Sequence, residues 1–280
     1  MKAAGIRALV TGGAGGIGGA IAADLLGRGS AVLLVDRDAL ALEHAASRFE
    51  GHGTRVGTLA ADLTSRADRK RVCEEAARWR GGINVLINNA GVNHFGMFED
   101  QPAEQIDLAV AINVLAPLHL CRGMLPHLMR QPEAVVMNTG SVFGSIGYPG
   151  YAVYSATKFA LHGFTEALRR ELSDSTVRVI YVAPRATRTG INTSAVERMN
   201  AELGVAMDPP ELVARTVGDM IEQGRLEAVI GWPEKFFARL NAVLPRVVDG
   251  ALRRQLPVIR RHAGGSTEPS STPSPAVTRS

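Results

Sequence analysis

A phenol and an ammonium group in the second half of this chain are spaced for proton transfer. Tyr154 and Lys158 are four residues apart in a segment with helical periodicity, so both side chains lie on one helix face. A free phenol has a pKa of about 10, and a cation within a few ångströms lowers that pKa by roughly 1–3 units. We therefore expect Tyr154 to exchange a proton with an alcohol near neutral pH. Ser141, thirteen residues upstream of Tyr154, would hydrogen-bond the substrate oxygen as its charge changes.

A glycine-rich turn near the N-terminus predicts a dinucleotide site. Residues 11–18 follow an apolar strand and open a helix. A glycine-rich turn indicates a dinucleotide site only in this context. Gly12 permits the tight turn, Gly16 lets the backbone meet a pyrophosphate, and Gly18 lets the helix pack close to the strand. The helix N-terminus supplies free N–H groups and a positive dipole end. A dinucleotide beside a proton-transfer pair indicates an oxidoreductase.

The end of the second expected strand bears on which dinucleotide is bound. Asp36 lies there, where a carboxylate accepts both ribose hydroxyls of NAD and repels the 2′-phosphate of NADP. Arg37 follows it and either holds that phosphate or is a solvated surface charge. A site for NADP would be expected to carry a basic residue at position 15, which is glycine here. We therefore expect NAD to be preferred over NADP.

The ends of the third and fourth expected strands supply further candidate contacts to the cofactor. Asp62 ends the third strand, where its carboxylate can reach the adenine amine. Small residues within 88–91 allow the backbone to approach the cofactor closely, and Asn88 either contacts the cofactor or braces the sheet. The remaining candidates from these turns are Ile17, Leu63, Asn89, Ala90 and Gly91.

Apolar runs alternate with helical patterns along the chain. Most of the runs are continuous, which is typical of strands covered on both faces. Strand, helix and strand in this rhythm predict a Rossmann-type doubly wound parallel sheet of about seven strands, with helices on both faces. The expected strands are residues 7–11, 31–36, 55–61, 85–89, 134–138, 177–182 and 228–231. The expected helices are residues 17–29, 38–49, 65–80, 102–130, 151–172 and 209–223.

Together these motifs resemble the classical short-chain dehydrogenase/reductase family over roughly residues 5–232. The matching positions are the TGxxxGxG turn at 11–18, Asp62, the NNAG segment at 88–91, Asn113, Ser141 and the YxxxK pair at 154–158. The resemblance implies an NAD(P)-dependent oxidoreductase that moves a hydride between nicotinamide and a CH–OH carbon.

The resemblance also implies a catalytic tetrad. Tyr154 would act as the general acid or base, and Ser141 would bind the substrate oxygen. Lys158 would bind the nicotinamide ribose hydroxyls and lower the pKa of Tyr154, and the positive nicotinamide ring would lower that pKa further. Asn113 would hold a water in the proton relay from Lys158. An asparagine inside a helix has poor propensity, which favours a special role.

Two positions depart from the usual pattern of the family. Gly140 stands where a second serine commonly precedes the catalytic one. Arg185 replaces a glycine beside the nicotinamide, where it could meet an anionic substrate group or point to solvent. Thr189 matches the residue that binds the nicotinamide carboxamide, and Pro184 and Thr187 are further expected cofactor contacts.

The expected substrate pocket is largely apolar, which favours a hydrophobic secondary alcohol or ketone (acyl, steroid-like or aromatic) over a sugar. Ser141 and Tyr154 would meet the reacting oxygen. An NADPH-dependent biosynthetic ketoreductase of the 3-oxoacyl type and a non-catalytic dinucleotide-binding sensor or scaffold are the alternatives. The expected walls are His94, Phe95, Met97, Phe143, Tyr148 and, in the loop 187–208, Ile191, Val196 and Met199.

Charge and composition divide the chain into three parts. Residues 1–232 are expected to form a single Rossmann-fold domain with a substrate loop at 187–208. Residues 233–262 hold seven basic and two acidic residues and carry apolar residues at helical spacing, so we expect a basic amphipathic helical appendage. Residues 263–280 are rich in Ser, Pro and Thr and are expected to form a disordered tail.

The appendage 233–262 has two interpretations. Pro245 and Pro257 are expected to divide it into short helices. These helices fit a weak peripheral contact with an anionic membrane. Alternatively, their apolar face packs on the substrate pocket or on a neighbouring subunit while the arginines are solvated. The rest of the chain is near neutral, so nucleic acid is a poor candidate partner, and the family resemblance implies a homodimer or homotetramer.

Cysteine usage and hydropathy indicate the compartment. Cys73 and Cys121 lie on separate expected helices without metal-ligand neighbours, so we expect no metal site and a reducing environment. No signal-peptide pattern precedes the first strand, and no run reaches the roughly 18 apolar residues that span a bilayer. A cytoplasmic location is expected, at the inner face of a membrane if the membrane interpretation of the appendage holds.

Overall fold

The computed structural model describes residues 1–190 and 192–264 and shows one seven-stranded sheet. The strand order is β3-β2-β1-β4-β5-β6-β7, and every pairing between neighbours is parallel. This order confirms the doubly wound parallel sheet, with its switch point between β1 and β4. The strands are β1 (Arg7–Thr11), β2 (Ala31–Asp36), β3 (Val56–Ala60), β4 (Val85–Asn88), β5 (Ala134–Thr139), β6 (Val177–Ala183) and β7 (Glu227–Val229).

Helices cover both faces of the sheet, as expected. The central strands β1, β4 and β5 are buried on both sides, which accounts for their continuous apolar runs. One face packs against α1, α2 and α8, and the other against α3, α5 and α6. The helices are α1 (Gly16–Gly27), α2 (Ala39–Ser47), α3 (Arg66–Arg78), α4 (Ala103–Val110), α5 (Ala116–Leu128), α6 (Ala152–Glu171), α7 (Ser194–Glu202), α8 (Pro210–Gln223), α9 (Glu234–Val243) and α10 (Pro245–Ala263).

The long helix expected at 102–130 is broken by a π-helical turn. Helix α4 passes into this turn at Ala111–Leu115, and α5 continues from it. By length and composition alone, Ala103–Leu128 could cross a membrane, contrary to the sequence expectation. In this fold Leu120 and Met124 are fully buried against the sheet, so α5 is a core helix.

The loop 187–208 is a structured excursion that contains a helix the sequence reading did not predict. Thr193 begins α7 by accepting a hydrogen bond from the Val196 N–H through its side chain. The two ends of the loop meet in an isolated parallel bridge between Thr187 and Asp208. Ile191, an expected pocket residue, and the expected tail from residue 265 onward lie outside the described residues.

Helices α9 and α10 form the appendage. Pro245 separates them as expected, but Pro257 does not end α10, which runs on to Ala263. The helix continues past Pro257 because Ile259 and Ala263 are buried against α7, which offsets the hydrogen bond that a proline loses. We call residues 233–263 the roof.

The roof presents two different faces. Its inner face packs Val248 and Leu252 against Val142 and Ile146 of the domain. Asn241 also donates a hydrogen bond of 2.9 Å to the Ser145 carbonyl. The appendage therefore packs on its own domain, one of the interpretations open from the sequence. Its outer face exposes large apolar side chains, namely Phe236, Val243, Leu244 and Val247, and Trp232 just before the roof is exposed as well.

Candidate active site

The turn between β1 and α1 is shaped so that side chains would not fit. Gly12 has φ of +66°, a left-handed conformation that favours glycine. A Cβ on Gly18 would overlap the Gly12 carbonyl oxygen, and a Cβ on Gly16 would lie 2.9 Å from the Thr189 methyl carbon. The start of α1 therefore packs closely against the end of β1, and Thr189 in the loop after β6 contacts the start of α1.

Side chains at the end of β4 hold this turn in place. The Thr11 hydroxyl accepts hydrogen bonds from the Asn89 and Ala90 N–H groups, both at 3.0 Å. The Asn89 amide donates back to the Thr11 carbonyl at 3.1 Å. Asn88 is buried and donates to the Asn138 side chain at 2.9 Å. Of the two roles open for Asn88, the structure therefore shows bracing of the sheet.

A cleft opens at the carboxyl ends of β1, β2, β3 and β4, and we call it the glycine-turn cleft. The Asp36 carboxylate is fixed beside the turn because it accepts the N–H of Ala14 at 3.2 Å and that of Arg37 at 2.8 Å. The Arg37 and Asp62 side chains are exposed at its rim. The cleft gathers twelve of the expected cofactor contacts: Gly12, Gly16, Ile17, Gly18, Asp36, Arg37, Asp62, Leu63, Asn89, Ala90, Gly91 and Thr189.

The tyrosine cavity adjoins this cleft and contains the expected proton-transfer pair. Tyr154 and Lys158 project into it from α6, and Ser141 from the end of β5. The Lys158 Nζ lies 5.5 Å from the centre of the Tyr154 ring and donates to the Thr139 carbonyl at 2.9 Å. Pro184 and Thr187 line this cavity as well.

The cleft and the cavity share part of their walls. Ile17, Asn89, Gly91 and Thr189 line both. A molecule that lies along the glycine turn would therefore reach Tyr154 and Lys158 without crossing protein.

Burial, not the lysine charge, dominates the pKa values set by the protein's own groups. Desolvation raises the pKa of Tyr154 to about 12, against a smaller lowering by the Ser141 hydroxyl. Desolvation also lowers the pKa of Lys158 to about 8. Without a dinucleotide, the mostly apolar cavity disfavours both charged forms, so the expected lowering of the Tyr154 pKa by Lys158 together with the nicotinamide ring stays a prediction.

Asn113 lies in the π-helical turn and is buried. Its carbonyl oxygen accepts the Val92 N–H, and its amide donates to the Val92 carbonyl, each at 2.9 Å. A second amide hydrogen bond of 3.1 Å reaches the Thr157 hydroxyl on α6. The side chain therefore ties the chain after β4 to the tyrosine helix, while the water relay that the resemblance implies for it stays a prediction.

The wall of the tyrosine cavity differs in part from the sequence expectation. Phe143, Tyr148 and Met199 line it as expected. Four other expected residues do not, namely His94, Phe95, Met97 and Val196. Phe95 is instead buried behind the wall, 5.1 Å from Tyr151 between ring centres. Its apolar character predicted burial but could not distinguish the pocket from the core beside it.

The roof closes the cavity with residues that the sequence reading did not select. The helical spacing of apolar residues in α10 was the available signal, although its target could not be read from the sequence. Tyr148 donates a hydrogen bond of 2.7 Å from its hydroxyl to the Gln255 side chain. The roof residues that line the cavity are Pro233, Glu234, Phe237, Val248, Ala251, Leu252 and Gln255.

Arg185 does not point to solvent, which was one of the two roles considered for it. It lines the tyrosine cavity, so a contact with an anionic substrate group stays a prediction. Its guanidinium forms a two-pronged pair with the Asp208 carboxylate at 2.9 and 2.7 Å. A third nitrogen bond runs to the Glu234 carboxylate at 3.4 Å. The side chain is thus engaged by two carboxylates of the protein itself.

The model of the family described as short chain dehydrogenase matches residues 7–200. The chain belongs to the short-chain dehydrogenases. It is 34% identical over 201 residues to the uncharacterized oxidoreductase DltE of Bacillus subtilis strain 168, covering 71% of this chain and 78% of that protein.

Two solved short-chain dehydrogenase or reductase structures resemble this one closely. A 3-ketoacyl-(acyl-carrier-protein) reductase from Brucella melitensis, complexed with NADH, has a TM-score of 0.73 at 28% identity, covering 80% of this chain and 95% of that one. A short chain dehydrogenase from Burkholderia cenocepacia J2315, in complex with NADP, has a TM-score of 0.77 at 26% identity, covering 90% and 99%. This short-chain dehydrogenase is accordingly an oxidoreductase that acts on CH–OH groups with NAD or NADP.

Proposed function

We propose that this short-chain dehydrogenase interconverts hydrophobic secondary alcohols and ketones with NAD as the preferred dinucleotide. The observation that carries the proposal is the junction of two sites. A cleft with a carboxylate at its ribose end, Asp36, opens into a largely apolar cavity that ends at Tyr154 and Lys158. The substrate class follows from the aromatic and aliphatic lining of that cavity.

The residues of the glycine-turn cleft fit a dinucleotide. The pyrophosphate would lie against Gly12 and Gly16, where the structure leaves no room for a Cβ and the start of α1 offers N–H groups. Asp36 would accept the ribose hydroxyls of the adenosine half. When bound, the nicotinamide supplies the acceptor or donor of a hydride.

The tyrosine cavity supplies the proton chemistry. In ketone reduction the Tyr154 hydroxyl donates its proton to the substrate oxygen, and a pKa of about 12 keeps that proton in place at neutral pH. In alcohol oxidation Tyr154 must first lose this proton, which a protonated Lys158 favours. The Ser141 hydroxyl donates a hydrogen bond to the substrate oxygen as it gains charge.

Cofactor choice is tested by fluorescence titration with NADH and NADPH, using wild type and Asp36→Ala. We expect NADH to bind more tightly and the variant to lose that preference. Tighter binding of NADPH to the wild type would contradict the proposal and would favour Arg37 as a phosphate ligand. The second candidate function, an NADPH-dependent ketoreductase of the 3-oxoacyl type, would then be preferred. Its cofactor is supported by the exposed Arg37 guanidinium at the rim and by the similarity to the Burkholderia cenocepacia structure with NADP. Its substrate class is supported by the similarity to the Brucella 3-ketoacyl reductase.

Turnover is tested with Tyr154→Phe. We expect kcat to fall by roughly 10²–10⁴, the usual contribution of a positioned general acid or base, while the dissociation constant for NADH stays within about twofold. The competing function, a dinucleotide-binding sensor, predicts no turnover in the wild type with any alcohol or ketone tried. Lys70→Met, at an exposed position of α3, is the surface control.

A further inference from the structure

Arg185 lies where three parts of the molecule meet. It follows β6 directly, and only 17% of its side chain is exposed. The loop 187–208 begins two residues later, and the roof begins at residue 233. Its side chain contacts the far end of that loop and the first helix of the roof.

The contact with the loop is a fork. The two bonds to Asp208 use two guanidinium nitrogens, and the Asp208 side chain is 8% exposed. The Asp208 backbone also accepts the Arg188 N–H at 2.9 Å and donates to the Ala186 carbonyl at 2.8 Å. The fork therefore fixes both ends of the loop that places Thr189 on the glycine turn.

The contact with the roof uses the remaining nitrogen. Nη1 donates to the Glu234 carboxylate at 3.4 Å and to the Trp232 carbonyl at 3.3 Å. Glu234 lies in the first turn of α9, where a carboxylate is also favoured by the helix dipole. Three residues further on, Phe237 lines the tyrosine cavity. Arg185 thus holds the end of the roof that closes that cavity.

The loop and the roof also meet away from Arg185. Val196 and Met199 of α7 pack on Ile259 of α10. At the far ends of the two helices, Arg261 donates to the Glu202 carboxylate at 2.8 Å. The loop and the roof therefore share two contact regions. One is formed through Arg185, and the other is formed between α7 and α10.

Stability alone is a weak reason for such an arrangement. Burying an arginine with two carboxylates costs desolvation that the ion pairs only partly offset, so a partly buried ion pair is poor evidence of a stabilising role. What distinguishes the contacts of Arg185 is their geometry. One planar guanidinium group fixes the position of the loop end relative to that of the roof helix.

We propose that Arg185 is a positioning residue that couples the loop 187–208 over the glycine-turn cleft to the roof over the tyrosine cavity. A dinucleotide that contacts Thr189 at the start of the loop would thereby also stabilise the roof over the tyrosine cavity, through the contacts of Arg185 with Asp208 and Glu234. The coupling rests on the proposed function only for its effect on substrate KM.

Hydrogen–deuterium exchange of the full chain, with and without NADH, tests the coupling without any substrate. In the wild type we expect NADH to slow exchange in peptides from both 187–208 and 234–263. In Arg185→Ala we expect NADH to slow exchange in the loop alone. Glu234→Gln should give a weaker form of the same separation because it removes the charge of the roof contact and leaves the fork to Asp208 in place. Arg188→Gln, which changes an exposed cation in the same loop, should behave as wild type.

Kinetics add a second reading. Arg185→Ala and Glu234→Gln should each raise substrate KM by about fivefold or more, the lower end of typical coupling between sites. Because both side chains also line the tyrosine cavity, the exchange pattern decides between coupling and direct contact with the substrate. The double variant should be no worse than Arg185→Ala, and Arg185→Lys should restore only part of the effect because an ammonium cannot form the fork.

The outcomes separate cleanly. Protection of both segments by NADH in Arg185→Ala would overturn the coupling, and so would multiplicative effects of the two substitutions on KM. If Arg185→Ala fails to fold, Glu234→Gln alone decides, since it changes one contact at the rim. If no alcohol or ketone is turned over while the exchange pattern is as expected, the substrate class is wrong and the coupling stands.

Discussion

The Tyr148 hydroxyl donates a 2.7 Å hydrogen bond to the Gln255 side chain and so joins the aromatic wall of the cavity to the roof. Phe143 stacks on Tyr148 with ring centres 4.9 Å apart, and its edge faces Tyr154. The rings of Tyr148 and Phe143 therefore connect this hydrogen bond to Tyr154. We therefore expect a less firmly held roof to change the packing of the aromatic wall of the cavity.

Removing this bond should loosen the roof measurably. We expect Tyr148→Phe to lower the free energy of unfolding by about 1 kcal/mol, the usual net contribution of one hydrogen bond. Gln255→Leu should cost a similar amount. Urea denaturation of both single variants and the double variant gives the coupling between the two side chains. Strictly additive losses would show that the two groups do not interact in solution.

Lys158 should make stability depend on pH in a specific window. Its pKa is about 8 in the fold, lowered by burial from the ordinary lysine value of 10.5. Between these values the unfolded chain binds more protons, so stability rises with pH, and the cost of burying the charge is fully present below pH 8. Relative to Lys158→Met, the wild type should gain about 3 kcal/mol across the window, at 1.36 kcal/mol per pKa unit.

The measurement is urea denaturation of both proteins at pH 7 and at pH 10.5, below and at the top of the window between the two pKa values. The comparison cancels other groups that titrate in this range, because they are common to wild type and variant. Lys70→Met on the surface of α3 is the matched control. A difference between wild type and Lys158→Met that does not change with pH would contradict the buried-cation account.

Much of the fold could be predicted from the sequence because its signals are local. The continuous apolar runs of β1 and β5 report burial on both faces, and the glycine turn reports a conformation that only small residues adopt. The position of Asp36 at the end of a strand is predicted from the apolar run 31–36 that it ends. Each of these features depends on residues close together in the chain.

The parts that could not be predicted depend on contacts between distant segments. The fork from Arg185 to Asp208 joins residues 23 positions apart, and nothing near Arg185 in the sequence indicates it. Phe95 was assigned to the pocket because it is apolar and follows β4, yet it packs behind the wall. Pro257 was expected to end a helix, but burial of Ile259 outweighs its local effect.

Two glycines of α1 give a matched test of the turn. A Cβ at Gly18 would overlap the Gly12 carbonyl, whereas a Cβ at Gly27 would meet nothing within 4 Å. Gly18→Ala should lose about 1–3 kcal/mol of stability, typical of overpacking, and should weaken NADH binding. Gly27→Ala should bind NADH as wild type does and gain up to about 1 kcal/mol from helix propensity. Equal NADH affinity in both variants would contradict the assignment of the cradle.

The departure at Gly140 has a physical reason that can be tested. Tyr181 is fully buried, and a Cβ on Gly140, the residue before Ser141, would overlap the Tyr181 ring. The serine that is usual there in the family would push either the ring or the strand end. We expect Gly140→Ser to lose about 1–3 kcal/mol of stability and to lower kcat, because Ser141 is the next residue.

A second substitution separates crowding from other effects of the new hydroxyl. Tyr181→Leu removes the ring, so the double variant Gly140→Ser/Tyr181→Leu should be less destabilised than the sum of the two single variants. Gly147→Ser, where a Cβ meets nothing within 4 Å, is the control. Thermal denaturation and kcat are measured for all four variants. Additive losses of stability would mean that the Tyr181 ring is not the reason for glycine at position 140. Relief of the overlap with that ring is the only source of the extra stability expected in the double variant.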